Sequence, residues 1–143
     1  MDIDAALDYV RTQHHAVLST LKSDGTPQLS PVTAGIDDAG HVVISTRQTA
    51  YKVRNVRRDP RVWLCAFPDR FYGKWVQIEG TADIVELPEA MDGLVDYYRR
   101  ISGEHPDWAD YRDAMLKQGK SLLRVTPRRW GPVATGGFPA RLA

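Results

Sequence analysis

The sequence predicts a mainly β protein, a small antiparallel barrel with peripheral helices, and three observations carry that reading. About six runs show strand-like alternation or a short apolar core, between His15 and Thr126. Tight turns rich in Asp, Gly and Pro separate the early runs closely enough for hairpins. A helical segment sits between two strands instead of following every strand, so the regular alternation of a doubly wound parallel sheet is missing.

The elements follow in order. Ile3, Leu7 and Val10 recur at helical spacing, and Asp2 and Asp4 suit a helix N-terminus, which predicts a helix over 2–13. Residues 15–21 read as a strand, Ser23-Asp24-Gly25-Thr26-Pro27 as a turn, and 28–36 as its hairpin partner. Asp37-Asp38-Ala39-Gly40 turns the chain into a strand over 41–46. Thr49 can cap a helix to about Arg58, with Val53 and Val56 on its inner face and Asp59-Pro60 as its stop. Residues 61–67 form an apolar strand, and 72–85 a long one whose Trp75, Gln77 and Glu79 share a face. Pro88 fits the first turn of a helix ending at Ser102-Gly103, and Pro106 or Asp107 opens another, closed by Gly119. Residues 121–126 are the last strand before a Gly- and Pro-rich tail.

The 143 residues suit one domain, spanning 1–143, and the 43% hydrophobic and 26% charged content is that of an ordinary globular chain. A net charge of +1 provides no bulk attraction to nucleic acid or anionic membrane. The lone Cys65 excludes an intramolecular disulfide, and its apolar run predicts a buried, inert thiol. Neither a basic, apolar leader nor a run of about 18 apolar residues is present, so a cytoplasmic location is expected. The four histidines lack metal-site spacing, and no metal is expected.

The chemistry concentrates in 45–58. Ser45, Thr46 and Arg47 end a strand, and a helix N-terminus with free N–H groups follows. Lys52 can fold back to the same spot, which makes a phosphate cradle; a solvated basic helix suits the same residues equally well. Arg54, Arg57, Arg58 and Arg61 extend the charge. On the strand after the first turn, Gln28, Ser30 and Val32 alternate to one face beside Pro31, where polar groups can read the edge of a flat heterocycle. An exposed hairpin face explains them as well. Trp75 and Gln77 can wall a ring, or simply serve core and interface.

These residues resemble the FMN-binding split-barrel superfamily, which includes pyridoxamine 5′-phosphate oxidase. The closest resemblance is to its actinobacterial branch of F420-dependent flavin/deazaflavin oxidoreductases. The similarity runs end to end, through 16–21, 24–32, 52–61 and 79–82, and 98–108 is its most branch-specific segment. The resemblance implies a six-stranded antiparallel split β-barrel and a homodimer with two cofactor sites at the subunit interface. It assigns Lys52 to the cofactor phosphate, with Ser45, Thr46 and Arg47 beside it. Asn55 faces the cofactor, Gln28, Ser30, Pro31 and Val32 border the ring, and Trp75 and Gln77 come from across the dimer. Arg128, Arg129 and Trp130 resemble a terminal segment that reaches the interface.

The function implied is hydride transfer from reduced coenzyme F420, an 8-hydroxy-5-deazaflavin, to a conjugated small-molecule substrate. No side-chain nucleophile is expected, because the cofactor performs the difficult step. FMN is the alternative cofactor, in an oxidase or electron-transfer flavoprotein, and a non-catalytic flavin- or deazaflavin-binding protein is the other alternative. The Arg-rich helix favours the longer anionic tail of F420 over the single phosphate of FMN.

Overall fold

The computed structural model describes residues 2–135. Its framework is one antiparallel sheet in the order β2-β1-β5-β6-β7-β4-β3. The strands are β1 (His15–Leu21), β2 (Pro27–Thr33), β3 (Gly35–Ile36), β4 (Val42–Arg47), β5 (Arg61–Ala66), β6 (Lys74–Glu86) and β7 (Lys120–Thr135). The two ends of this sheet, β2 and β3, are consecutive in the chain and separated only by Ala34. The predicted strand 28–36 is therefore a single bent run that pairs with β1 through its first part and with β4 through its second. Covalent continuity joins the sheet's ends, and six strand-like runs become a half-barrel of seven strands. Ala34 is fully buried at the bend, and its amide donates to the His14 carbonyl at 2.7 Å.

The pleat sorts each strand into two faces. Ala16, Leu18 and Thr20 on β1, Val62, Leu64 and Ala66 on β5, and Val76 and Ile78 on β6 are buried together in the barrel. The alternate residues Val17, Ser19, Trp63, Cys65, Trp75, Gln77 and Glu79 are half-buried on the outer face. There Val17 pairs with Cys65 and Cys65 with Gln77, so one row crosses three strands. Cys65 is thus half-buried instead of enclosed, and desolvation pushes its thiol pKa up, which disfavours the reactive thiolate.

β6 and β7 cross with two register shifts, near Val76/Ile78 and Glu79/Gly80. Gly80 permits that crossing, since a Cβ there would lie 2.7 Å from Val125 Cγ1 and inside contact distance of the Thr126 carbonyl. β7 runs from Lys120 to Thr135, well beyond the predicted 121–126, because its second half stays paired with β6 through Pro127, Arg129 and Trp130. Pro127, Gly131 and Pro132, which read as tail from sequence, fall inside this strand, and the rest of that tail, from Gly136 on, lies outside the described residues.

Among the described residues, four helices surround the sheet. α1 (Ile3–Thr12) is capped by Asp2, which accepts from the Ala5 amide at 2.8 Å, and buries Ala6, Leu7 and Val10. α2 (Tyr51–Arg58) buries Val53 and Val56 as the spacing predicts. Its N-cap is Ala50, with no side-chain hydrogen bond, so Thr49 does not cap it. α3 (Met91–Ser102) begins after Pro88, which lies in the preceding turn instead of the helix's first turn. α4 (Trp108–Gln118) is capped by Asp107 and closed by Gly119 in the left-handed region at φ 60°. None of these helices is long and apolar enough to cross a membrane.

A second core joins α3 and α4 to the outside of β4 through Val43, Leu94, Val95, Tyr111, Met115 and Leu122. The segment 98–108 has a packing role here. Tyr98, His105, Trp108 and Tyr111 form a ring cluster with centroids 5.1–5.8 Å apart. Glu104 ties it off by accepting from Arg99 at 2.7 Å and from the Trp108 indole at 3.0 Å.

Candidate functional site

Two clefts divide the residues that the sequence singles out. The first, ≈ 470 Å³, opens where β2 bends into β3, beside the end of β4 and the start of α2. Pro31, Val32 and Thr33 form one side, Ser45 and Lys52 another, and His15, Ala16, Phe67 and Tyr97 complete it. Four predicted residues, Pro31, Val32, Ser45 and Lys52, thus converge from three separate elements.

The basic end of this cleft follows from local structure. β4 delivers Ser45 half-buried toward the cleft, while Thr46 turns into the sheet and is 6% exposed. Arg47 is exposed beside Lys120, its pairing partner on β7. Because no side chain caps α2, its first N–H groups are open to an anion. Lys52 is the second residue of that helix, and desolvation pushes its ammonium pKa below the usual lysine value. Lys120 is lowered too, first by desolvation and then by repulsion from Arg47 and Lys52. Among the described residues Lys52 has no carboxylate partner, so Arg47 and Lys52 bear on Lys120 with no acid to relieve them. An anion placed among them would do so.

Tyr97 closes the floor. Its phenol donates to the Thr33 carbonyl at 2.7 Å; desolvation raises its pKa, and a Ser45 backbone hydrogen bond opposes the shift. At the mouth, His15 Nδ1 lies 2.6 Å from Asp69 Oδ1. Pro31, Val32 and Phe67 are the larger apolar residues of its lining.

The second cleft, ≈ 380 Å³, lies between the β1–β2 turn and α2, and holds Gln28 and Asn55 with Lys22, Arg54 and Arg58. Asn55 is 4% exposed, and its Nδ2 donates to Gln28 Oε1 at 2.8 Å and to Thr20 Oγ1 at 3.0 Å. Gln28 and Asn55 therefore meet each other rather than the first cleft. Ser30 shares the half-buried face of β2 with Gln28 and Val32 but lines neither cleft. Trp75 and Gln77 stand on the outer face of β6, away from both.

Sequence reasoning missed His15, Thr33, Phe67, Tyr97 and Lys120. Thr33 and Phe67 had a usable signal, since Thr33 ends β2 and Phe67 directly follows β5. Tyr97 and Lys120 had none, because only the packing of α3 and the pairing of β7 bring them to β4.

The sequence profile described as pyridoxamine 5′-phosphate oxidase matches residues 3–134. The chain belongs to the pyridoxamine 5′-phosphate oxidase family. The resemblance to the FMN-binding split-barrel superfamily and the mainly β fold both hold. Solved relatives agree on the fold. The conserved hypothetical protein Rv2991 from Mycobacterium tuberculosis is 27% identical, with 96% of this chain covering 93% of that one at a TM-score of 0.75. A structure called F420 Reductase is 20% identical over 87% of this chain and 94% of its own, at a TM-score of 0.66. A heme binding protein from Mycobacterium smegmatis is 22% identical over 92% of this chain and 58% of its own, at 0.65. Family membership and the basic, partly apolar cleft together suit a flavin-type ligand.

Proposed function

We propose that this family member is an F420-dependent oxidoreductase that acts on a conjugated small molecule at the first cleft. The observation that carries the reading is Lys52, a partly desolvated ammonium with no carboxylate partner, set beside Ser45 at an uncapped helix N-terminus. That group, with Arg47 and Lys120 nearby, fits a cofactor phosphate. The deazaflavin supplies hydride chemistry when bound. The chain's own task is to fix the ring and exclude water. Pro31, Val32 and Phe67 offer the ring apolar contacts, and Ser45 offers a hydroxyl at its polar end. Tyr97 holds the floor, its proton already committed to Thr33.

The cofactor preference needs support beyond the Arg-rich helix. Arg57 is engaged by Glu86 and Arg61 by Asp59, and Arg54 and Arg58 face the second cleft. The branch-specific segment 98–108 and the F420 Reductase fold relative support the deazaflavin; FMN is the rival.

The same reading includes a homodimer. On the outer sheet face, Leu29 is 64% exposed, and Val17, Trp63, Cys65 and Trp75 are half-buried apolar neighbours. A second copy seated on this face would cover them and bring Trp75 and Gln77 toward its partner's cleft. Purified, cofactor-free protein should be titrated with F420 and, separately, with FMN, following fluorescence quenching. Tight F420 binding with weak FMN binding is expected. The reverse preference moves the chain to FMN, and binding of neither removes the cofactor reading.

A further inference from the structure

We infer that the second cleft is a separate binding site for a small, multiply charged anion of the phosphate-ester or pyrophosphate type. It does not depend on the cofactor reading, because Lys52 and Ser45 lie in the first cleft and none of the second cleft's residues does.

The starting point is charge. Lys22, Arg54 and Arg58 converge on ≈ 380 Å³, and no acidic residue lines that space. The neighbouring acids are drawn elsewhere. Asp24 turns back into its own loop, where it accepts from the Thr26 amide at 3.0 Å and the Thr26 hydroxyl at 2.6 Å. Asp59 is held by Arg61 at 2.6 Å, and Glu86 by Arg57. Asp24 and Asp59 feel Lys22 and Arg58 only at longer range. Among the described residues none of the three cations forms an ion pair.

Rigidity is the second part. Cations on a mobile surface repel and drift apart, whereas these are carried on fixed supports. Lys22 sits in a turn closed by its amide on the Thr26 carbonyl at 2.8 Å and by the Gly25 amide on its own carbonyl at 2.9 Å. Arg58 donates to the Leu21 carbonyl at 3.3 Å and to Asn55 Oδ1 at 3.4 Å. Arg54 lies over the Tyr51 ring, 5.4 Å from its centroid. Beneath them the buried Asn55 amide links α2 to Thr20 and Gln28, so the helix and the hairpin cannot shift independently. Three cations carried on one rigid frame match the spread charge of a pyrophosphate better than a single carboxylate. Their neutral surroundings also lack the acid that would compete with the ligand.

The test is an NMR titration of the full chain, ¹⁵N-labelled, with inorganic pyrophosphate at constant ionic strength. Saturable shifts centred on the amides of Lys22, Ser23, Arg54 and Arg58 are expected, with orthophosphate binding at least threefold more weakly. The K22Q/R54Q double variant should bind at least tenfold more weakly, and K52A within twofold of the parent. Lys22 and Arg54 have no ion-pair partner to lose, and the dispersion of the variant's spectrum reports its fold; K22Q alone is the fallback, with an intermediate loss. Shifts that grow linearly without saturating, or that scatter over basic residues throughout the surface, overturn the site. So does saturable binding that survives K22Q/R54Q and disappears in K52A, which assigns the anion to the first cleft.

Discussion

Tyr97 and Thr33 meet through a single hydrogen bond of 2.7 Å across 64 residues of chain, from the phenol of α3 to the last carbonyl of β2. The bond falls at the bend where the strand leaves one end of the sheet for the other. It holds both the closure of the half-barrel and the floor of the first cleft. Tyr97→Phe keeps the ring and deletes the bond, leaving a half-buried carbonyl without that donor. A loss of about 1 kcal/mol is expected in urea unfolding. Ligand affinity should fall with it, since Thr33 and Tyr97 both line the cleft. A variant with unchanged midpoint and unchanged binding would show that the bend holds itself.

Asn55 makes a sharper test of buried polarity. Its amide serves Thr20, which is 1% exposed, and Gln28 on the other strand of the hairpin. Removing the donor leaves the buried Thr20 hydroxyl without that partner and Gln28 Oε1 facing the second cleft. Asn55→Ala should therefore lower stability by about 1–3 kcal/mol by chemical denaturation. Gln28→Ala, whose side chain is less enclosed, should cost less. Equal effects, or none at Asn55, would place the weight of the contact elsewhere.

The contrast between these two positions explains how much the sequence discloses. Alternation and turn chemistry are local, so β1, β5, α1 and α2 fall close to their predicted bounds. The Lys52–Ser45 neighbourhood is legible for the same reason, because the two residues lie only seven apart, near the end of one strand and in the first turn of the next helix. The break at Ala34 is not legible, since the apolar pattern runs through the bend and only closure of the sheet demands it. The extension of β7 is hidden by Pro127 and Pro132, which read as tail until β6 supplies a partner. Gln28 and Asn55 look like ligand groups by residue type. Whether a polar side chain faces a ligand or another side chain depends on packing between elements 27 residues apart.

Lys52 carries the proposed phosphate contact, and Lys52→Ala should weaken F420 binding by about 1–3 kcal/mol, the range for a hydrogen bond to a charged group. Stability should not fall in parallel. Desolvation already disfavours the ammonium in the ligand-free protein, so removing it relieves repulsion on Lys120. A combined titration and thermal melt separates the two effects. Wild-type affinity in the variant would argue against the cradle, and a large loss of melting temperature would make Lys52 structural.

Tyr111 should leave a signature at high pH. Its phenol is 7% exposed and donates to the Leu94 carbonyl at 2.8 Å. Desolvation, followed by the neighbouring Tyr97 and Tyr98, pushes its pKa from 10.0 up to about 12. Below pH 10 the phenol is neutral in both folded and unfolded chains, and its contribution is fully present. As pH rises from 10 towards 12 the unfolded chain releases this proton first, so ionisation favours unfolding and the contribution is lost. Tyr111→Phe should cost about 1 kcal/mol at pH 8, through the missing hydrogen bond. The same variant should lose stability less steeply than the parent between pH 10 and 12, because one ionising group has gone. The tyrosines that remain, Tyr97 among them with its pKa also raised, keep part of the alkaline slope. Urea midpoints measured at pH 8, 10, 11 and 12 decide the matter: parallel curves for parent and variant would mean that Tyr111 ionises as readily in the folded protein as in the unfolded chain.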